Sequence, residues 1–336
     1  MKYPLLHKTL KVGSSVLKNR LVMPPMATEK SAKGQVTDGL IAYYGDMARS
    51  GPGLIIQEHS FVSPDGRASA NQVSLAADAD IPGLQRLTAA VHAQGVPILA
   101  QISHAGSAVH RAITGQEVIS ASAVPNPSRA ASVHGQPEFP REMTQGDIQC
   151  IIQAFVDAAA RAQQAGYDGV EIHSAHGYLL DQFYSPLTNR RTDDYTGRTL
   201  EGRTRLQVEI IHAIRRRLGK DFVLSLRLGG SDYMDGGAVC AEVGQAAKLF
   251  EAAGLDMLSL SGGMSFFFRP GHTEAGYFAE LAEAAKTGTT LPVMLTGGIA
   301  DGAEAETFLE KGQADLIGIG RAALRDHQIY QKILSM

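Results

Sequence analysis

Residues 291–323, LPVMLTGGIADGAEAETFLEKGQADLIGIGRAA, decide the fold. Two short apolar runs, 292–296 and 315–319, stand on either side of an amphipathic segment at 302–310. VMLT and DLIGIG are continuous apolar or β-branched stretches. A strand buried on both faces reads that way, and parallel sheets bury both faces. The segment between them has helical spacing and is followed by Gly312, where a helix C-terminus favours glycine. The unit is therefore strand–helix–strand.

Working outward, the same unit recurs along the chain. Further apolar runs lie at 21–26, 53–60, 97–102, 169–173, 222–228 and 257–260, and helix-like segments at 38–49, 83–93, 144–165, 200–218, 239–253 and 276–287. Thr144 is a candidate N-cap, and Gly166 and Gly254 stand at helix ends. Eight strands alternating with helices predict a single (β/α)8 TIM barrel over residues 1–336 rather than an open doubly wound sheet. The stretch before Leu21 is expected to cap the barrel bottom. Two connections, 104–143 after the third strand and 174–199 after the fourth, are too long for plain turns. Both follow strands, so both fall on the C-terminal face, where barrels keep their active sites.

Composition narrows the function. Apolar residues make up 44 % of the chain, near the soluble average, so neither a disordered nor a membrane-embedded protein is expected. No apolar run approaches the roughly 18 residues that span a bilayer, and MKYPLLHKTLKVGSS lacks the apolar core of a secretory signal, so a cytoplasmic location is expected. A formal charge of −3 gives no reason to expect nucleic acid. Cys150 and Cys240 form no cluster, which leaves no Cys-ligated iron–sulfur centre or four-Cys zinc site within the sequence and reads as free thiols.

Polar and glycine residues concentrate at the predicted strand ends: Pro25, Met26, Ala27, His59, Gln101, HSAHGY from His173, Arg227, Gly263, Gly297, Gly298, Gly320 and Arg321. Loops after the seventh and eighth strands of such barrels commonly build phosphate sites, where glycines let backbone N–H groups approach the anion. Arg321 could add a charge-assisted contact; tight turns alone are the plainer explanation of those glycines. In HSAHGY, His173, His176 and Tyr178 are satisfied turn residues, part of a metal site, or an anion hole with a proton donor. A third metal ligand is not apparent, and no metal is expected. Two imidazole donors can hold a carbonyl oxygen as charge grows on it, and a phenol can protonate the neighbouring carbon. The arginines at 215–217 read as a solvated helix end complementing the dipole. Asp232 and Asp235 look like a carboxylate pair in a turn without a catalytic role. Phe266, Phe267 and Phe268 wall a substrate pocket, plug the core or form an oligomer contact.

KNRLVMPPMAT, AQISHAG, AGYDGVEIHSAHGYLLDQFYSPLTNRRTDDY, LTGGI and ADLIGIGRA, in that order over almost the whole chain, resemble the old yellow enzyme family of NAD(P)H:flavin oxidoreductases. The resemblance implies a TIM barrel with non-covalent FMN, reduced by NADH or NADPH and reoxidised by a small-molecule acceptor at the same face. It places the anion hole on His173 and His176 and the proton donor on Tyr178. Flavin-ring contacts fall on Pro25, Met26, Ala27, Gln101 and Arg227, with His59 and Gly263 nearby. Phosphate contacts fall on Gly298, Gly320 and Arg321, and Gly297 is a further cofactor-binding candidate. Ala27 replaces a Thr or Cys and offers only its backbone N–H, and Ser107 replaces an Arg. The absence of a Cys-rich extension implies direct hydride delivery to FMN. QKILSM brings no arginine for a neighbour's site, though a homo-oligomer stays compatible with the sequence. The expected activity is reduction of an activated C=C bond. Alternatives on the same scaffold are NADH oxidase or flavin reductase activity, oxidative cleavage of a methylated amine, and a non-catalytic flavin-binding barrel.

Overall fold

The computed structural model describes residues 2–132 and 138–336; residues 133–137, within the long connection after the third strand, lie outside the described residues. Eight parallel strands form a ring: β1 (Leu21–Met23), β2 (Leu54–Phe61), β3 (Ile98–Ser103), β4 (Gly169–Ser174), β5 (Val223–Ser231), β6 (Met257–Gly262), β7 (Val293–Leu295) and β8 (Leu316–Gly318). Each pairs with its successor, and β8 returns to β1 through Ile317↔Leu21 and Gly318↔Val22. The expected barrel is the one that forms. Helices α1 (Asp38–Arg49), α2 (Ile81–His92), α3 (Gln145–Gln164), α4 (Leu200–Leu218), α5 (Val243–Ala252), α6 (Ala279–Gly288) and α7 (Gly302–Glu310) surround it, and α8 (Arg321–Arg325) and α9 (Ile329–Leu334) follow the last strand. Among the described residues no helix is long and apolar enough to cross a membrane.

Local chemistry sets the boundaries. β1 stops at Met23, short of the expected Met26, because Pro24 and Pro25 have no N–H to give to a ladder. Thr144 caps α3 as expected, and Asp147 completes the capping box by accepting from the Thr144 N–H at 2.7 Å. α5 and α6 begin later than the periodicity suggests. Cys240–Glu242 form a 3₁₀ turn before α5, and Gly276 has a φ of 72°, outside any helix.

The lower barrel interior is an apolar layer of Val22, Leu54, Ile56, Leu99, Val223, Met257, Met294 and Leu316. An antiparallel hairpin, Leu10–Val12 with Ser15–Leu17, slides Val12 and Leu17 beneath it, so the chain's start does close the barrel bottom. Each such side chain contributes about 1.5–3 kcal/mol on burial. Above this layer the interior turns polar, at Gln101, Glu171, Ser225 and Arg227.

The arginine run corrects the sequence reading. Arg215 is not a solvated helix end. It folds under the barrel and donates to Gly254 O at 2.7 Å and to Phe222 O at 2.9 Å, and it pairs with Asp256 at 2.7 Å. Asp256 in turn accepts the Leu224 N–H at 2.8 Å, so one guanidinium ties the end of α4 to the starts of β5 and β6. Hydrogen bonds to a charged group contribute about 1.5–3 kcal/mol. Arg215→Ala should therefore lower unfolding stability by about 2 kcal/mol, read from the midpoint of urea denaturation. A change below about 0.5 kcal/mol would show that the carbonyls find other partners.

Candidate active site

The polar strand ends converge on one cavity of about 540 Å³, within the range of small-molecule sites. Its lining brings together Pro25, Met26 and Ala27 after β1, His59 on β2, Gln101 on β3, and His173, His176 and Tyr178 at and after β4. Arg227 on β5, Gly297 and Gly298 after β7, and Gly320 and Arg321 after β8 complete it. Gly263 is the expected residue that does not line the cavity. A Cβ added there would lie 2.3 Å from Asp232 Oδ1, so its missing side chain serves close packing against a buried carboxylate rather than a ligand.

The HSAHGY turn is built by strain and by its neighbours. His176 has a φ of 66° and Gly177 of 75°. A non-glycine residue there stores about 1–3 kcal/mol, which persists only where the surroundings over-determine it. They do: Gly177 N–H donates to Asp181 Oδ2 at 2.7 Å, and Gly177 O accepts from Asn126 Nδ2 at 2.9 Å and from Gln182 Nε2 at 2.7 Å. A Cβ on Gly177 would lie 2.3 Å from Ser128 Oγ. Asn126 and Ser128 belong to the connection after β3 and Gln182 to the one after β4, so the two long loops are laced together around this turn. Ser107 is part of the lacing, not of the cavity, and accepts from Asn126 Nδ2 at 3.1 Å. Asp181 and Asp232 are the true buried carboxylate pair, whereas Asp235 is exposed. Burial, and then each other's company for Asp181, push both carboxyls upward.

The turn sets three rings together. His173 lies 4.9 Å from His176 and 5.0 Å from Tyr178, centroid to centroid. Arg227 Nη2 donates to Ser261 Oγ at 3.4 Å, and Ser261 Oγ lies 2.7 Å from His176 Nε2. The serine oxygen offers one lone pair to the guanidinium and can still either accept from His176 Nε2 or donate to it. Burial, followed by neighbouring imidazoles and Arg227, holds both histidines well below their ordinary range, so they are neutral donors. Burial raises the Tyr178 phenol, so its proton stays on. Among the described residues no group of three or more His, Cys, Asp or Glu side chains is placed to hold a metal.

Two acids to which the sequence reading gives no role hold the floor and the edge. Glu171, fully buried in the barrel, accepts from Gln101 Nε2 at 2.8 Å and from Ser225 Oγ at 3.2 Å. It thereby fixes the Gln101 amide with its carbonyl oxygen free. Glu58 accepts from both the N–H and the hydroxyl of Thr28, pinning the segment after β1; burial raises its pKa to about 7. Each was visible as a lone acid inside an apolar run, IIQEHS or GVEIH. Tyr277 was also missed, having been counted into a helix. Its ring flanks Gly297 and Gly298, its hydroxyl donates to Phe267 O at 3.0 Å, and it accepts from Arg321 Nη2 at 3.0 Å. Phe266 and Phe267 wall the cavity, whereas Phe268 lies under the Arg129 guanidinium at 5.1 Å.

Among the described residues, several buried polar atoms lack a protein partner, including His173 Nδ1 and Nε and Nη1 of Arg227. A Cβ on Gly298 would lie 2.7 Å from Glu274 O, and its φ is 73°, so that position holds only a glycine and leaves bare backbone toward the cavity. Unpaired donors at one end and a glycine cradle beside Arg321 at the other fit an elongated ligand with a polar ring edge and an anionic tail. FMN has both.

The buried imidazoles also fix a sign. Unfolded histidines take protons near 6.5, whereas folded His173 and His176 resist them, so the unfolded state binds more protons below that pH and stability is lost as the pH falls. Glu58, raised, acts oppositely, losing stability as the pH climbs from about 4.5 to about 7. His173→Asn leaves Glu58 in place. It should therefore show a smaller fall in Tm than the parent between pH 7 and pH 5, measured by differential scanning calorimetry; parallel curves would contradict the imidazole contribution.

The chain matches the profile of the NADH:flavin oxidoreductase / NADH oxidase family over residues 5–335. It is 40 % identical to an NADH oxidase of Thermoanaerobacter brockii over 331 residues, 96 % of this chain and 50 % of that one. It is 36 % identical to an NADPH dehydrogenase of Bacillus subtilis over 317 residues, 94 % and 90 % of the two chains. A solved 2-naphthoyl-CoA reductase complex superposes with a TM-score of 0.91 at 29 % identity, covering 99 % of this chain and 52 % of the other. The chain thus spans about half the length of some relatives and nine-tenths of another. With the barrel, the cavity and the profile in agreement, the chain belongs to the NADH:flavin oxidoreductase / NADH oxidase family, the old yellow enzyme family.

Proposed function

We propose that this chain is an FMN-dependent NAD(P)H oxidoreductase that reduces the activated C=C bond of α,β-unsaturated carbonyl or nitro compounds. The observation that carries the reading is the cluster of His173, His176 and Tyr178: two neutral imidazoles and a protonated phenol on the cavity wall, with His176 and Tyr178 each about 5 Å from His173. Gln101, Arg227, Pro25, Met26 and Ala27 would hold the isoalloxazine ring, with the unpaired Arg227 donors on its electron-rich edge. Gly297, Gly298, Gly320 and Arg321 would hold the phosphate. Bound FMN supplies hydride chemistry between NADH or NADPH and the acceptor.

The protein's own residues do the rest. The imidazole donors hold the acceptor's oxygen and stabilise the charge that grows there. Tyr178 gives its proton to the carbon next to the carbonyl, and burial keeps that proton available at neutral pH. Phe266 and Phe267 exclude water from the wall beside them. A second reading, oxidation of NADH without an organic acceptor, is favoured by the likeness to a protein named NADH oxidase.

Under argon, NADH should bleach the yellow protein and 2-cyclohexenone should restore its colour. Bleaching that only air reverses would favour the second reading, and no bleaching a binding role. Removing a single anion-hole donor typically lowers turnover by about 10²–10³-fold. His173→Ala with His176→Ala should therefore cut cyclohexenone turnover at least about a hundredfold with FMN still bound. Undiminished turnover would remove the anion hole from the account. Arg321→Ala should weaken FMN binding about tenfold or more, measured by fluorescence of the released flavin; an unchanged Kd would put the phosphate elsewhere.

A further inference from the structure

His59 stands beside Tyr178, ring centroids 5.6 Å apart, and lines the cavity. Its protonation is dictated from behind. Ala68 N–H donates to Gln72 Oε1 at 2.7 Å, which fixes the orientation of the Gln72 amide. Gln72 Nε2 is thereby the donor side. It donates to Ser103 Oγ at 3.2 Å and faces His59 Nδ1 at 3.0 Å. An amide nitrogen cannot accept, so His59 Nδ1 must, and the single imidazole proton sits on Nε2. Burial agrees, lowering the His59 pKa to about 4. Gln72, Ser103 and the Ala68 amide are all buried, so this orientation is built in rather than sampled.

We infer that His59 is a third hydrogen-bond donor to the acceptor molecule, and that it tunes the cavity to alkenes bearing a second oxygen acceptor, such as cyclic dicarbonyls. His173 and His176 serve one carbonyl; a further fixed N–H donor among the cavity-lining residues can pair with a second lone pair of the bound molecule. Donors that are buried and left unpaired disfavour binding, so a molecule with one oxygen leaves His59 unsatisfied and a molecule with two does not. The inference rests on reading the cavity as an acceptor site, and it makes His59 a specificity-determining residue, not a source of the proton.

The test uses the FMN-loaded protein and two unreactive ligands, cyclohexanone with one carbonyl and N-methylsuccinimide with two. Their dissociation constants are read from flavin absorbance changes. The wild type should prefer the dicarbonyl. His59→Phe keeps a ring against Tyr178 without a donor and should reduce that preference about fivefold, as expected for one neutral hydrogen bond. His59→Gln, which restores an N–H, should recover most of it. The matching ratio of kcat/KM for N-methylmaleimide over 2-cyclohexenone should move in the same direction. A preference that is unchanged within about twofold in His59→Phe, or absent in the wild type, overturns the inference and leaves His59 as a packing residue. The binding ratio decides the matter even if neither alkene is reduced, in which case it is the proposed function that fails.

Discussion

The pairing of β8 with β1 is the constraint on which the rest of this molecule depends. Two register contacts, Ile317↔Leu21 and Gly318↔Val22, turn an open sheet into a ring and bring the ends of the first and last strands to one rim. Gly320 then lies so near Met26 that an added Cβ would sit 2.7 Å from its sulfur. Residues after the first strand and residues after the last thus line the same cavity, and without closure neither set forms a site. Closure also removes the exposed sheet edges that would otherwise invite pairing between chains.

A closed parallel barrel excludes water from its centre, which makes every polar group there expensive unless it is answered. The structure answers most of them internally: Glu171 by Gln101 and Ser225, Asp232 by Ser185, Met264 and Ala238, Glu58 by Thr28. Among the described residues, the atoms without a protein partner include His173 Nδ1 and two nitrogens of Arg227, which line the cavity. The same dryness keeps the imidazoles neutral and the phenol protonated. Chemistry and fold therefore draw on one physical condition, the low dielectric of the barrel mouth.

The fold was legible because parallel strands buried on both faces announce themselves as apolar runs such as LIIQ and VMLT, and because proline and glycine mark where they end. The rim was legible for a related reason: polar residues directly after apolar runs stand out. What the sequence hid depends on contacts between distant segments. Nothing in RRR distinguishes Arg215, which reaches Asp256, from its exposed neighbours. Gly263 looked like the other rim glycines, although it faces Asp232 rather than the cavity. Tyr277 was concealed by a helical spacing that Gly276 interrupts. Glu58 and Glu171 were printed plainly, but their partners lie elsewhere in the ring, Thr28 in the segment after β1 and Gln101 on β3.

The lacing of the two long loops around Gly177 has a bearing on how this surface can diversify. The connection after β3 supplies Asn126 and Ser128, and the one after β4 supplies Gln182; all three converge on the bend that aims Tyr178. Insertions farther out along either connection can reshape the mouth while that knot keeps its aim. Exchanging one connection for a relative's, without its counterpart, unties it. The two segments are therefore expected to be inherited as a matched pair, drifting in sequence at their tips and moving together at their roots.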